Sequence, residues 1–114
     1  MSTTAPVGSR VGKEKSVAPK YIALMNWTEQ GVETVKESVQ RRDQADAVAE
    51  KHGVRIEQVY WTVGPYDLVS ILEAPDDESA TAMVLDLVSG GNLRTTTLRA
   101  YDREEMSGIV QRLS

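Results

Sequence analysis

Residues 63–78, Val-Gly-Pro-Tyr-Asp-Leu-Val-Ser-Ile-Leu-Glu-Ala-Pro-Asp-Asp-Glu, constrain this chain more tightly than any other stretch. The Gly64-Pro65 pair can reverse the backbone within two residues. Glycine in the first position of a type II′ turn accepts positive φ, and proline in the second keeps its negative φ. Tyr66 and Asp67 come next, then a nearly continuous apolar run, then a proline and an acidic helix start. Read in order, these residues predict a hairpin, a buried strand over Tyr66 to Ala74, and a helix capped by Asp76 or Asp77.

The remaining elements follow by periodicity. Tyr21 to Trp27 reads as a strand with Tyr21, Ala23, Met25 and Trp27 on one face and Ile22, Leu24 and Asn26 on the other. Both faces are largely apolar, which places it, like Tyr66 to Ala74, in the middle of a sheet. Thr28 caps a helix whose stripe runs through Val32, Val35 and Val39 and resumes at Ala45, Val48 and Ala49. The stripe changes phase near Ser38 to Arg42, which predicts a bend or a break. Gly53 ends the helix.

Val54 to Val63 reads as the second strand, with Val59, Trp61 and Val63 opposite Ile56, Tyr60 and Thr62. After the third strand, Ala80, Met83, Val84, Leu87 and Val88 form a complete amphipathic stripe, and Gly90-Gly91 closes it. Leu93 to Tyr101 is a fourth strand. Asp102 to Glu105 is a capping box before a short helix carrying Met106, Ile109, Val110 and Leu113.

The order β-α-β-β-α-β plus a terminal helix specifies an α+β, ferredoxin-like fold, a four-stranded antiparallel sheet with helices on one face. Two helices cover one face only, while the central strands are apolar on both. The open face therefore needs a partner, and a homodimer or higher homo-oligomer is expected.

Residues 1–19 are rich in Ser, Thr, Gly, Pro and Lys without periodic apolar residues, and are expected to be a disordered tail before one domain over residues 20–114. That tail lacks a signal-peptide core, and no later run is long enough to span a bilayer, so a cytoplasmic protein without membrane contact is expected. The formal charge of −4 divides into about +2 on the tail and −6 on the rest. An acidic domain argues against direct nucleic-acid binding, which rests on phosphate neutralisation. The absence of cysteine excludes disulfides, zinc–thiolate centres, iron–sulfur clusters and thiol nucleophiles. No metal and no cofactor are expected.

The residues from Tyr21 to Tyr101 resemble the GYD-domain family of small bacterial proteins. The resemblance rests on Tyr21 to Thr28, Gly64-Pro65-Tyr66-Asp67, Glu73 to Glu78, Gly91 to Thr95 and Leu98-Arg99-Ala100. It implies a dimeric α/β-barrel fold and no defined chemistry. A looser similarity runs to the ligand-binding domain of leucine-responsive and asparagine-type regulators, which place amino-acid effectors between subunits. Those regulators carry an N-terminal helix-turn-helix domain, whereas here only the short tail precedes the first strand.

The site candidates are Tyr66 and Asp67 at the strand mouth, Asn92 and Arg94 in the loop before the last strand, and Asn26 with Trp27 at the end of the first. Tyr66 offers a phenol for stacking and Asp67 a carboxylate for an amine. Asp67 could equally clamp turn amides or pair with Arg94 or Arg99. Asn26 and Trp27 fit a cofactor-independent oxygenase pocket, or simply a helix-start asparagine and a core tryptophan. His52, the single histidine, sits at a helix end where dipole complementarity explains it. Asp76, Asp77 and Glu78 likewise suit a helix start.

Three functions remain open on the sequence. The first is a homo-oligomeric, small-molecule-binding or ligand-sensing module with its site near a subunit interface. The second is a cofactor-free oxygenase or isomerase. The third is a structural or interaction subunit. Catalytic residues are not identifiable.

Overall fold

A computed structural model describes residues 18–114. The tail expected over residues 1–19 lies, but for its last two residues, outside the described residues. Four strands, β1 (Lys20–Trp27), β2 (Arg55–Trp61), β3 (Leu68–Glu73) and β4 (Leu93–Ala100), form one sheet in the order β2-β3-β1-β4. Every pairing in it is antiparallel. The two strands that are apolar on both faces, β1 and β3, are the two central ones.

Four α-helices accompany the sheet: α1 (Glu29–Glu33), α2 (Ser38–Lys51), α3 (Asp77–Val88) and α4 (Arg103–Val110). Along β1 and β3 burial alternates residue by residue, so Tyr21, Ala23, Met25, Leu68 and Leu72 face α2 and α3. Met83 of α3 is 0% exposed and Ala49 is the buried residue of α2, so both helices meet that face. No helix among the described residues is long and apolar enough to cross a membrane.

Asp76 caps α3, its carboxylate accepting from the Ser79 N–H at 2.7 Å, and the Ser79 side chain, then that N–H, hold its carboxyl below the usual range. The Tyr21 phenol donates to the Asp77 carboxylate at the start of α3. Burial, then this bond to an acid, pushes the phenol up to about 12. At the helix's other end Gly91 has φ +88°, a conformation glycine adopts without strain. The predicted capping box of α4 is formed by Asp102 and Glu105.

Four sequence expectations need correction. The first is the valine stripe: the helix breaks as expected, at Thr34, where a single 3-10 turn (Val35–Glu37) separates α1 from α2, but its valines do not face the core. The break falls just ahead of the predicted phase change, and it turns the valine stripe outward. Val32 is 56% and Val39 68% exposed, while Gly31 takes the inner position. A Cβ at Gly31 would lie 2.1 Å from the Asn92 carbonyl oxygen, so only glycine lets α1 approach this closely.

A bulge at Glu57 adds one residue to β2 and brings Ile56 to the side of Val59 and Trp61 rather than opposite them. Period-two reading fails wherever a bulge shifts the phase. The Gly64-Pro65 turn is also wider than two residues: the last ladder bond runs from the Thr62 N–H to the Asp67 carbonyl at 2.9 Å, leaving Val63 to Tyr66 in the loop. Finally, Val63 is fully exposed and belongs to no strand.

No helix among the described residues covers the second face of the sheet. Ile22, Leu24, Val69, Ile71 and Leu98 lie there, with Lys20, Arg55, Glu57 and Glu73 forming an ion cluster at one end. The Glu57 hydrogen bond raises the Lys20 ammonium above its ordinary value against an opposing effect of burial. Helix α4 buries no residue, and Met106, Val110 and Leu113 stay exposed.

Candidate functional site

The six candidate residues gather at one end of the sheet, but on two different faces. Asn26 and Arg94 are register partners on the open face. Trp27 and Asn92 line a cavity on the helix-covered face. Tyr66 and Asp67 close the loop between them.

Asp67 is built into the backbone here. Its N–H donates to the Met25 carbonyl at 2.8 Å, and its Oδ2 accepts from the Trp27 N–H at 3.0 Å. The Asn26 amide reaches the same oxygen at 3.5 Å and donates to the Pro65 carbonyl at 2.9 Å. The carboxylate thus fastens the Gly-Pro loop to the end of β1 through strand and side-chain groups, rather than turn amides or an arginine. The Tyr66 carbonyl accepts from the Thr62 hydroxyl at 2.6 Å, a second tie across the same loop.

Asn92 is held with equal firmness. Its carbonyl accepts from the Thr28 N–H at 3.0 Å, and its Oδ1 accepts from the Gln30 amide at 3.1 Å. The Thr28 hydroxyl donates to the Gly91 carbonyl at 2.5 Å. Helix α1 therefore latches the loop before β4, and the buried Gly31 allows the contact. Arg94 is exposed on the open face.

Beneath α2, between it and the sheet, lies a cavity of about 250 Å³. Its walls are mostly apolar and include Trp27, Trp61, Leu72, Met83 and Leu87. Ser70, a buried hydroxyl-bearing residue within β3, contributes to the floor. At the start of α2 the lining turns basic with Arg41 and Arg42. The Nη1 of Arg41 donates to the Thr34 carbonyl at 3.0 Å and to the Thr34 hydroxyl at 2.7 Å. Its Nη2 is buried with no hydrogen-bond partner among the described residues. Arg42, by contrast, is occupied: its Nη1 forms an i,i+4 ion pair with the Asp46 carboxylate.

An orphaned donor such as Arg41 Nη2 is uncommon in a folded chain, because a buried donor without a partner costs about 1–3 kcal/mol. Across the cavity, Asp86 of α3 is occupied by His52 Nε2 at 3.0 Å and Lys51 at 3.5 Å. The His52 bond, reinforced by the Lys51 charge, lowers the Asp86 carboxyl from its ordinary value. His52 thus ties the end of α2 to α3. No cluster of three metal-ligating side chains occurs among the described residues.

Sequence reasoning missed Arg41, Arg42, Trp61 and Ser70. Two signals were available. The arginine pair sits where the helical stripe changes phase, and Ser70 is a lone hydroxyl inside an apolar strand.

The GYD domain family model matches residues 21–110, nearly the whole described chain. The chain belongs to the GYD domain family. Among relatives, the "Glutamine synthetase and cystathionine beta-lyase binding protein" of Thermus thermophilus is 35% identical over 83 residues, covering 72% of this chain and 87% of that protein. Among solved structures, that of MtbAldR superposes with a TM-score of 0.59 at 13% identity, over 75% of this chain and 52% of that chain. At that identity the likeness concerns the fold alone. This GYD chain spans about half of that protein's length.

Proposed function

We propose that this GYD protein is a homo-oligomeric, small-molecule-binding module whose ligand site is the cavity beneath α2. The observation that carries this reading is the cavity itself: about 250 Å³, aromatic and aliphatic in its walls, with one buried guanidinium nitrogen, Nη2 of Arg41, left without a hydrogen-bond partner among the described residues. Largely apolar concavities with a few convergent polar groups are the usual form of small-molecule sites. Trp27 and Asn92 bring the end of this cavity close to Asn26 and Arg94, so the ligand site and the open face adjoin.

Assembly follows from two unsatisfied apolar surfaces. The open face carries Leu98 exposed and Ile22, Leu24, Val69 and Ile71 half-buried, and α4 buries no residue of its apolar side. A second copy, sheet against sheet with α4 packing on the neighbour, covers both at once, in the ferredoxin-like, dimeric α/β-barrel manner. A second reading has its own support. The 35% identity with a protein named for binding glutamine synthetase and cystathionine beta-lyase favours docking on a metabolic enzyme. In that case ligand occupancy would modulate the docking. No nucleophile–base constellation lines the cavity, which favours binding over catalysis.

Native mass spectrometry of the purified protein tests the primary reading. The expected result is a dimer or larger assembly, with a small-molecule mass retained. A monomer with no retained mass, and no thermal shift with a metabolite panel, would refute it.

A further inference from the structure

The cavity is apolar along its length and basic at one mouth, and that asymmetry carries chemical information. We propose that its ligand is a small amphipathic monocarboxylate, an aromatic or branched acyl acid, whose apolar body fills the cavity and whose carboxylate is held by Arg41. This rests on reading the cavity as the ligand site.

Three observations select this class. The guanidinium of Arg41 is already anchored on one side, with Nη1 on both oxygens of Thr34, while Nη2 is buried without a hydrogen-bond partner among the described residues. A pre-positioned, half-used fork is suited to a carboxylate, and its placement leaves less side-chain entropy to lose on binding. Second, the site lies at the first turn of α2, where Ser38 lines the cavity, Glu37 makes no capping hydrogen bond and no acidic residue occupies the turn. The positive end of the α2 dipole there adds to the charge of Arg41.

Third, the one carboxylate among the lining residues, Asp86, is engaged by His52 and Lys51. An amino acid's ammonium would find no free counter-charge, so an acid without one is favoured. Size agrees: a cavity of about 150 Å³ accepts benzene, and 250 Å³ leaves room for a ring with a short acid arm.

Calorimetric titration of the full chain at pH 7 tests the assignment, with phenylacetate as the probe and phenylacetamide as its neutral isostere. Phenylacetate is expected to bind at least about tenfold tighter than the amide, the scale of a charge-assisted hydrogen bond. Arg41→Met should remove that preference, bringing phenylacetate and phenylacetamide to within about twofold of each other. Because Arg41 also fastens Thr34, melting curves check each variant's fold. Arg42→Met, which keeps that tie, should weaken phenylacetate by roughly threefold. Ala45→Leu, which fills the cavity from α2, should abolish binding of both compounds.

Equal affinity for acid and amide would overturn the carboxylate assignment and leave the cavity as a ligand site. Undiminished phenylacetate binding to Ala45→Leu would place the acid elsewhere and overturn the assignment too. Absence of binding by either compound would overturn both.

Discussion

Helices α2 and α3 lie over the same sheet face and differ in almost every respect that matters. Helix α3 begins with a side-chain cap on Asp76, is tied to β1 through Asp77 and Tyr21, and buries Ala80 and Met83. Helix α2 begins without a cap after a broken turn, buries only Ala49, and spans a hollow. One helix supplies rigidity and the other leaves room. Ligand sites commonly draw on the less stable parts of a fold, and here the less packed helix carries the arginines.

The contrast predicts unequal mutational costs. Met83→Ala, at the fully buried centre of α3, should cost about 2–5 kcal/mol by denaturant unfolding, whereas Val39→Ala on exposed α2 should stay within about 0.5 kcal/mol. Similar costs for the two would erase the distinction. The Tyr21–Asp77 tie predicts an alkaline weakness. A phenol raised to about 12 in the folded state stabilises it fully below the unfolded value of about 10. That contribution, about 2–3 kcal/mol, is lost as pH rises toward 12. Melting followed from pH 8 to 12 should show the loss in the wild type and a smaller one in Tyr21→Phe.

Gly31→Ala should cost about 1–3 kcal/mol, because its Cβ would meet backbone rather than a movable side chain. Its first symptom should be faster amide exchange in the Gly90–Asn92 loop. The smallest effects concern the caps. Asp76→Ala should cost about 1 kcal/mol. Glu37→Ala, at a cap position without a side-chain bond, should be nearly neutral, and equal losses would show that α2 is capped after all.

Much of this architecture was legible in the residues. Two-sided apolar runs identified β1 and β3 as central, and Ala80 to Val88 declared α3 completely. What escaped was phase. The bulge at Glu57 is invisible to periodicity, and the break before α2, although expected from the change of phase, carries no sign of which residues then face inward. The candidate site suffered for the same reason. Trp27 and Asn92, singled out because they sit at element ends, do line the cavity. Arg41 and Arg42 were hidden, since their inward direction depends on the break before α2. Asp67 looked like a ligand group because a carboxylate at a strand mouth has the same sequence appearance whether it binds a ligand or the neighbouring strand.

The claim that binding belongs to the cavity beneath α2 is met most directly by peptide-resolved hydrogen exchange, alone and with saturating phenylacetate. The account predicts faster exchange over residues 38–51 than over 77–88 in the free protein. With the acid bound, α2 should gain protection while the centre of α3 changes little. Equal exchange of the two helices, with no change on adding the acid, would contradict it.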